Sequence, residues 1–195
     1  MSEEIEEHPF EKFLPEQAKV LFLGTFPAKP YRWSMHFYYP NFLNDFWRIA
    51  GLVFFGDAAR FELRGAKAWD ENAIRAFCFG KALAFSDTAE EIRRLKGNAS
   101  DAALEVVRPR DVDGLLAHLP RCRALVATGG KAAEVIAGLY GVEPPAVGGS
   151  VPVRVGDGRV LDFWRLPSTS RAYPLPLAKK AAAYRALFAA LGIRM

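Results

Sequence analysis

Three short stretches carry residue types that can do chemistry together. In "SMHFYYPNFLNDFWRIAG" (34–51), three adjacent aromatics stand beside a proline, two asparagines and a Phe-Trp pair. Aromatic faces stack on nucleobases whatever their sequence, and an asparagine amide offers a paired donor and acceptor that can read a base edge. Phe46 is the candidate stacking face, Tyr38 and Tyr39 the candidate walls, and Asn44 the candidate amide. "AFSD" (84–87) ends a strand-like run in Asp87, a carboxylate that can orient water or stabilise a cation. "LPSTSRAYP" (166–174) sets the hydroxyls of Ser168, Thr169 and Ser170 ahead of Arg171, Tyr173 and a helix. Hydroxyls, loop N–H groups and a helix N-terminus make a phosphate-positioning surface. Arg171, or Tyr173 after it, can enter a groove or fill a gap in a base stack. A pocket for a base drawn out of a duplex needs these three parts: a stacking aromatic, an amide or carboxylate, and a backbone clamp. Blander readings compete at each point. Phe46 and Trp47 suit a helix core, the Ser/Thr loop suits a turn and cap, and Asp87 with Thr88 suits the cap of a following helix.

The elements that must position these residues follow from periodicity. "KVLFLGTF" (19–26) is a compact apolar run ending near Gly24 and Pro27, a buried strand leading into a loop. From Asn41 to Phe55 apolar residues recur at three- and four-residue spacing, a helix that Asn41 caps and Gly56 stops. "DENAIRAFCFG" (70–80) reads as a second helix with an Asp cap, "KALAFSD" (81–87) as a strand, and "AEEIRRLKG" as a helix capped by Thr88. A short helix lies in 108–122, then a strand in "RALVATG" (123–129), then a helix opened by the tight turn at Gly129-Gly130. Residues 149–170 read as a hairpin tipped by Gly156-Asp157-Gly158, and 175–192 as the final helix. Strands alternating with helices predict a three-layer α/β/α domain over 1–195, with a mainly parallel four-stranded central sheet plus a C-terminal hairpin strand. Ligands bind such sheets beyond the carboxyl ends of the strands. The loops there are "GTFPAKP", "AFSDT", "ATGGK" and "LPSTSRAY".

Bulk properties narrow the class. The chain has 195 residues, 51% hydrophobic and 25% charged, with a formal charge of +4. Residues 1–16 form an acidic extension with Glu3, Glu4, Glu6, Glu7, Glu11 and Glu16 against Lys12, to which no functional residue is assigned. The region after Arg154 is basic, which marks it as the face for a polyanion. Two cysteines, Cys78 and Cys122, and histidines 8, 36 and 118 without ligand spacing give no zinc or iron–sulfur signature. No cofactor is expected. A disulfide framework, an apolar leader and a membrane-length apolar run are also not seen, so the expected setting is a reducing cytoplasm.

"LFLGTFP" followed by "FYYPNFLNDFWRI" closely resembles the first motif of the uracil-DNA glycosylase superfamily, in its mismatch-specific and hypoxanthine-type branches. "LPSTSRAYP" resembles the second motif, a loop that pinches the DNA backbone and carries a wedge, and "VATGGKAAE" is similar to a late strand-to-helix segment. The resemblance runs in order over residues 19–188. It implies that Asn44, the asparagine of the N-x-F-W pattern, is catalytic in the manner of the hypoxanthine-type branch, and that Phe46 stacks the base. Phe26 stands where the mismatch-specific branch keeps an asparagine, Gly24–Pro27 lacks the carboxylate of the classical enzymes, and Leu166 replaces the second-motif histidine. The implied activity is monofunctional hydrolysis of the N-glycosidic bond of uracil or hypoxanthine in DNA by a monomer. Asn44 and Asp87 would serve the sugar and water, Gly24, Thr25 and Phe26 the leaving base, and Asn98 (with Asp101) its edge. A weakly active or inactive DNA-binding member is the first alternative, and a hydrolase of free nucleosides the second.

Overall fold

The computed structural model describes residues 4–95 and 103–195. Its central sheet runs β3-β2-β6-β8-β7, with β2 at Val20–Gly24, β3 at Leu83–Asp87, β6 at Ala124–Ala127, β7 at Ser150–Arg154 and β8 at Val160–Arg165. The first four of these in sheet order are parallel to one another, and β7 closes the edge as the antiparallel arm of the hairpin. The sheet is thus a five-stranded mixed one, which meets the expectation in part.

Alternation along β2 divides the core. Val20 and Phe22 face a cluster built with α1 (Phe46–Phe55), α2 (Glu71–Gly80) and α5 (Leu177–Ala190). Leu21 and Leu23 face the opposite cluster, built with α3 (Val112–Ala117) and α4 (Gly130–Tyr140). Successive strand residues point to opposite faces, so a fully apolar strand requires helices on both sides. The helix ends follow local chemistry. Asp70 Oδ1 accepts from Ala73 N–H at 2.9 Å to cap α2, Asp111 Oδ1 accepts from Gly114 N–H at 2.9 Å to cap α3, and Gly56 ends α1 with φ 69°. Asn41 does not cap α1, which starts five residues later; its Oδ1 accepts from Leu43 N–H in a turn.

A second sheet departs from the sequence reading. Residues Ala89–Arg94 form strand β4, where a helix capped by Thr88 was expected. β4 lies between β1 (Ile5–Glu7) and β5 (Leu104–Pro109), antiparallel to both. Helix propensity in "AEEIRR" is a weak prior, and here two flanking strands and cross-strand charge pairs override it. Arg108 meets Glu90 and Glu91, Arg93 meets Glu105, and Arg94 meets Glu6, all between 2.6 and 2.8 Å. Ala89, Ile92 and Leu104 pack beneath the sheet against Phe26. The acidic N-terminal extension is therefore part of the fold, because Glu6 and its strand complete this sheet.

Candidate active site

All four parallel strands deliver their carboxyl ends to one cavity of about 200 Å3. Gly24 comes from β2, Asp87 from β3, Thr128 from the residue after β6, and Ser168–Ser170 from the loop after β8. Tyr39 and Asn44 close it from the segment before α1, and Arg32 stands at its edge. Dry cavities of about 150 Å3 accept a benzene ring, so this volume suits a single small heteroaromatic system.

Asp87 pairs in register with Gly24 across the β2–β3 ladder. A Cβ at Gly24 would lie 2.6 Å from Asp87 Oδ1, so only glycine leaves that oxygen its place over the strand end. The other oxygen, Oδ2, accepts a hydrogen bond from His8 Nε2 at 2.7 Å, with side-chain exposures of 3% for His8 and 9% for Asp87. A helix-capping role for Asp87 is ruled out, since the chain continues into β4 and Thr88 N–H bonds back to Gly24 O. Tyr38 lies in the core, its ring stacked at 5.9 Å on Phe85, and its hydroxyl pKa is driven up by burial first and by the charge of Asp87 second.

Asn44 lines the cavity and its orientation is determined. Oδ1 accepts from Phe46 N–H at 2.9 Å, so the amide cannot be reversed without setting two donors face to face. Its Nδ2 hydrogens are the part left for a substrate. The two motif loops are joined here. Asn44 and Ser170 form an antiparallel bridge, and Asp45 N–H donates to Thr169 O at 2.8 Å. The Asp45 carboxylate meets Lys180 Nζ of α5 at 3.0 Å and Arg171 Nε at 3.2 Å, while Lys180, only 1% exposed, also donates to Ser170 O at 2.8 Å. A buried ammonium is tolerated only when paired and hydrogen-bonded, as this one is.

The aromatic wall differs from expectation. Phe46 is 3% exposed and is covered by Tyr39, whose ring lies parallel to it at 4.1 Å and 4°. Phe46 belongs to the core with Phe22, Phe85 and Tyr184, and Tyr39, in place of Phe46, borders the cavity together with Phe26. Tyr39 also adopts φ 54°, a left-handed conformation rare for an aromatic residue, and its hydroxyl shares a 2.7 Å hydrogen bond with Thr128 Oγ1.

The remaining candidates sort by location. Gly24, Thr25, Phe26, Ser168, Thr169 and Ser170 line the cavity. Phe26 also turns its ring edgewise to His8 at 5.2 Å. Ser168 and Ser170 accept from Ser170 N–H and Ala172 N–H at 3.2 Å, bonds that shape the loop and leave the hydroxyl protons to donate outward. Arg171 is exposed but tethered by Asp45, and Tyr173 is half-buried beside it. Asn98 and Asp101 lie outside the described residues. Sequence reasoning missed His8, Asp45, Thr128 and Lys180. For Lys180 a signal existed, since it shares a helical face with Tyr184 and Leu187, which are buried.

No family model matches the sequence, and none of the curated proteins matches it. Among solved structures, the solution structure of a "putative Uracil DNA glycosylase" from Methanosarcina acetivorans superposes with a TM-score of 0.64 at 22% identity, covering 97% of this chain and 99% of that one. The two share a fold over essentially their full lengths.

Proposed function

We propose that the chain is a DNA glycosylase of the uracil-DNA glycosylase superfamily, hydrolysing the N-glycosidic bond of a flipped-out deaminated base, uracil or hypoxanthine. The observation that carries this reading is the cavity that Asp87, Asn44 and Tyr39 line together beside the hydroxyl loop. The shared fold supports it.

A base drawn from the duplex would stack on Tyr39, whose ring is held from behind by Phe46 and at its hydroxyl by Thr128. As the glycosidic bond breaks, its electron pair leaves with the base and the sugar gains oxocarbenium character. Asn44 Nδ2 and the backbone of Gly24–Phe26 would donate hydrogen bonds to the base as negative charge develops on it. Asp87 would stabilise the sugar cation and orient the water, whose oxygen bonds to C1′ and whose proton balances, through solvent, the charge of the departed base. Ser168 and Ser170 would hold flanking phosphates, and Arg171 would fill the vacated stack once released from Asp45. Binding of DNA as a monomer in a reducing cytoplasm completes the reading.

The test uses duplexes carrying one uracil, hypoxanthine, xanthine or mismatched thymine, treated with alkali to cut abasic sites. Wild-type protein should release at least one of these bases. Asp87→Asn and Asn44→Ala should lower the single-turnover rate about 10²–10⁴-fold while duplex binding persists. Salt-sensitive binding without release from any duplex would reject the activity and leave a DNA-binding protein.

A further inference from the structure

We propose that His8, delivered by the N-terminal strand, is a positioning residue that holds Asp87 for the reaction; this rests on the glycosylase reading above. Strand β1 pairs with β4 from Ile5 to Glu7, and His8 N–H continues the contact by donating to Glu90 O at 2.8 Å. The register delivers the imidazole behind the cavity, where Phe10 and Phe26 meet it edgewise at 5.8 and 5.2 Å and Tyr38 stacks on it at 6.0 Å. His8 does not line the cavity; it reaches a substrate only through Asp87.

The ring's far end explains why the arrangement is robust. Phe10 places both its N–H and its C=O at 3.2 Å from Nδ1. A neutral ring accepts from the N–H, and a protonated ring donates to the C=O. In either state Nε2 keeps its hydrogen and donates it to Asp87 Oδ2. That donor compensates the cost of withdrawing the carboxylate from water and fixes its rotation. With Oδ2 held from behind, Oδ1 is the oxygen turned over Gly24 at the cavity. Gly24 and His8 thus act from opposite sides on one carboxylate, one by making room and one by anchoring it. The structure supplies in this way a partner for Asp87 from the segment in which the sequence offered no functional residue.

The experiment compares His8→Leu, which keeps the bulk without a donor, with His8→Gln, whose amide can place an N–H near the Nε2 position. Single-turnover release and duplex affinity are measured for each, with His8→Met in reserve should His8→Leu not fold. His8→Leu should slow release about 30-fold or more with less than about a threefold change in Kd, and His8→Gln should recover most of the rate. In an Asp87→Asn background, His8→Leu should cost less than about twofold, because residues acting as a unit are not additive. An unchanged rate in His8→Leu, or losses that multiply in the double variant, would overturn the proposal while leaving the glycosylase reading intact. A wild-type protein that releases no base would instead remove both.

Discussion

A methyl group at Gly24 would sit 2.6 Å from Asp87 Oδ1 and 3.6 Å from the Tyr39 hydroxyl, so Gly24→Ala must push the carboxylate off the strand end. The strand backbone there requires no special φ, and the substitution should leave the melting temperature within a few degrees, since no core void is created. On the proposed reading, base release should nevertheless fall by about 10–100-fold, as a misplacement of about 1 Å commonly produces. Tyr39→Phe keeps the stack on Phe46 but removes the hydroxyl that meets Thr128, which should lower stability by about 1 kcal/mol in thermal or denaturant unfolding. At this scale the sequence was informative about residue type and less so about direction. Asn44, Asp87 and the Ser/Thr loop come together as their chemistry suggested. Phe46 and Tyr39 exchange places because helix periodicity turns Phe46 inward, whereas the left-handed backbone at Tyr39 obeys no periodicity. Nor does any local pattern near His8 disclose Asp87, since 79 residues separate the partners.

Helix α5 sends Lys180 to the seam between the two motif loops and stitches them together. Lys180 lies on the buried face with Tyr184 and Leu187, and its ammonium bonds both Asp45 and Ser170 O. Lys180→Met fits the apolar volume yet leaves Asp45 to Arg171 alone, which should destabilise the fold by about 3 kcal/mol in chemical denaturation. Pairing it with Asp45→Asn should recover much of that loss, because no unpaired buried charge then remains. Elements whose apolar period is strong were legible: among the described residues, β2, β3, β6 and helices α2 to α5 fall where the pattern puts them within a few residues, and α1 starts five residues later than its expected cap. Strand β4 was not, since "AEEIRR" has one strongly apolar residue and gains its conformation by pairing with β1, distant in sequence, on one side and with β5, the next strand, on the other.

Over the whole molecule, the buried acidic groups set an alkaline limit. Burial pushes the Cys122 thiol up to about 11, and raises Cys78, Tyr38 and Tyr184 above their ordinary values as well. Each ionises in the unfolded chain before it does so in the folded one. Their stabilisation is complete below about pH 9 and is lost as pH rises toward and beyond 11. The denaturation midpoint should therefore fall steadily from about pH 9 upward, with Cys122 alone accounting for about 2–3 kcal/mol by pH 11. Both free thiols are buried, so neither should react with a thiol reagent near pH 8 until the chain unfolds. The bridge from Asn44 to Ser170 also bears on how the molecule does its work. Two loops knitted together and riveted to α5 make a fixed seat, not jaws that shut around a guest. On the proposed reading, the labour of opening then falls on the duplex, and lesions in weakly stacked or mispaired steps should be processed soonest.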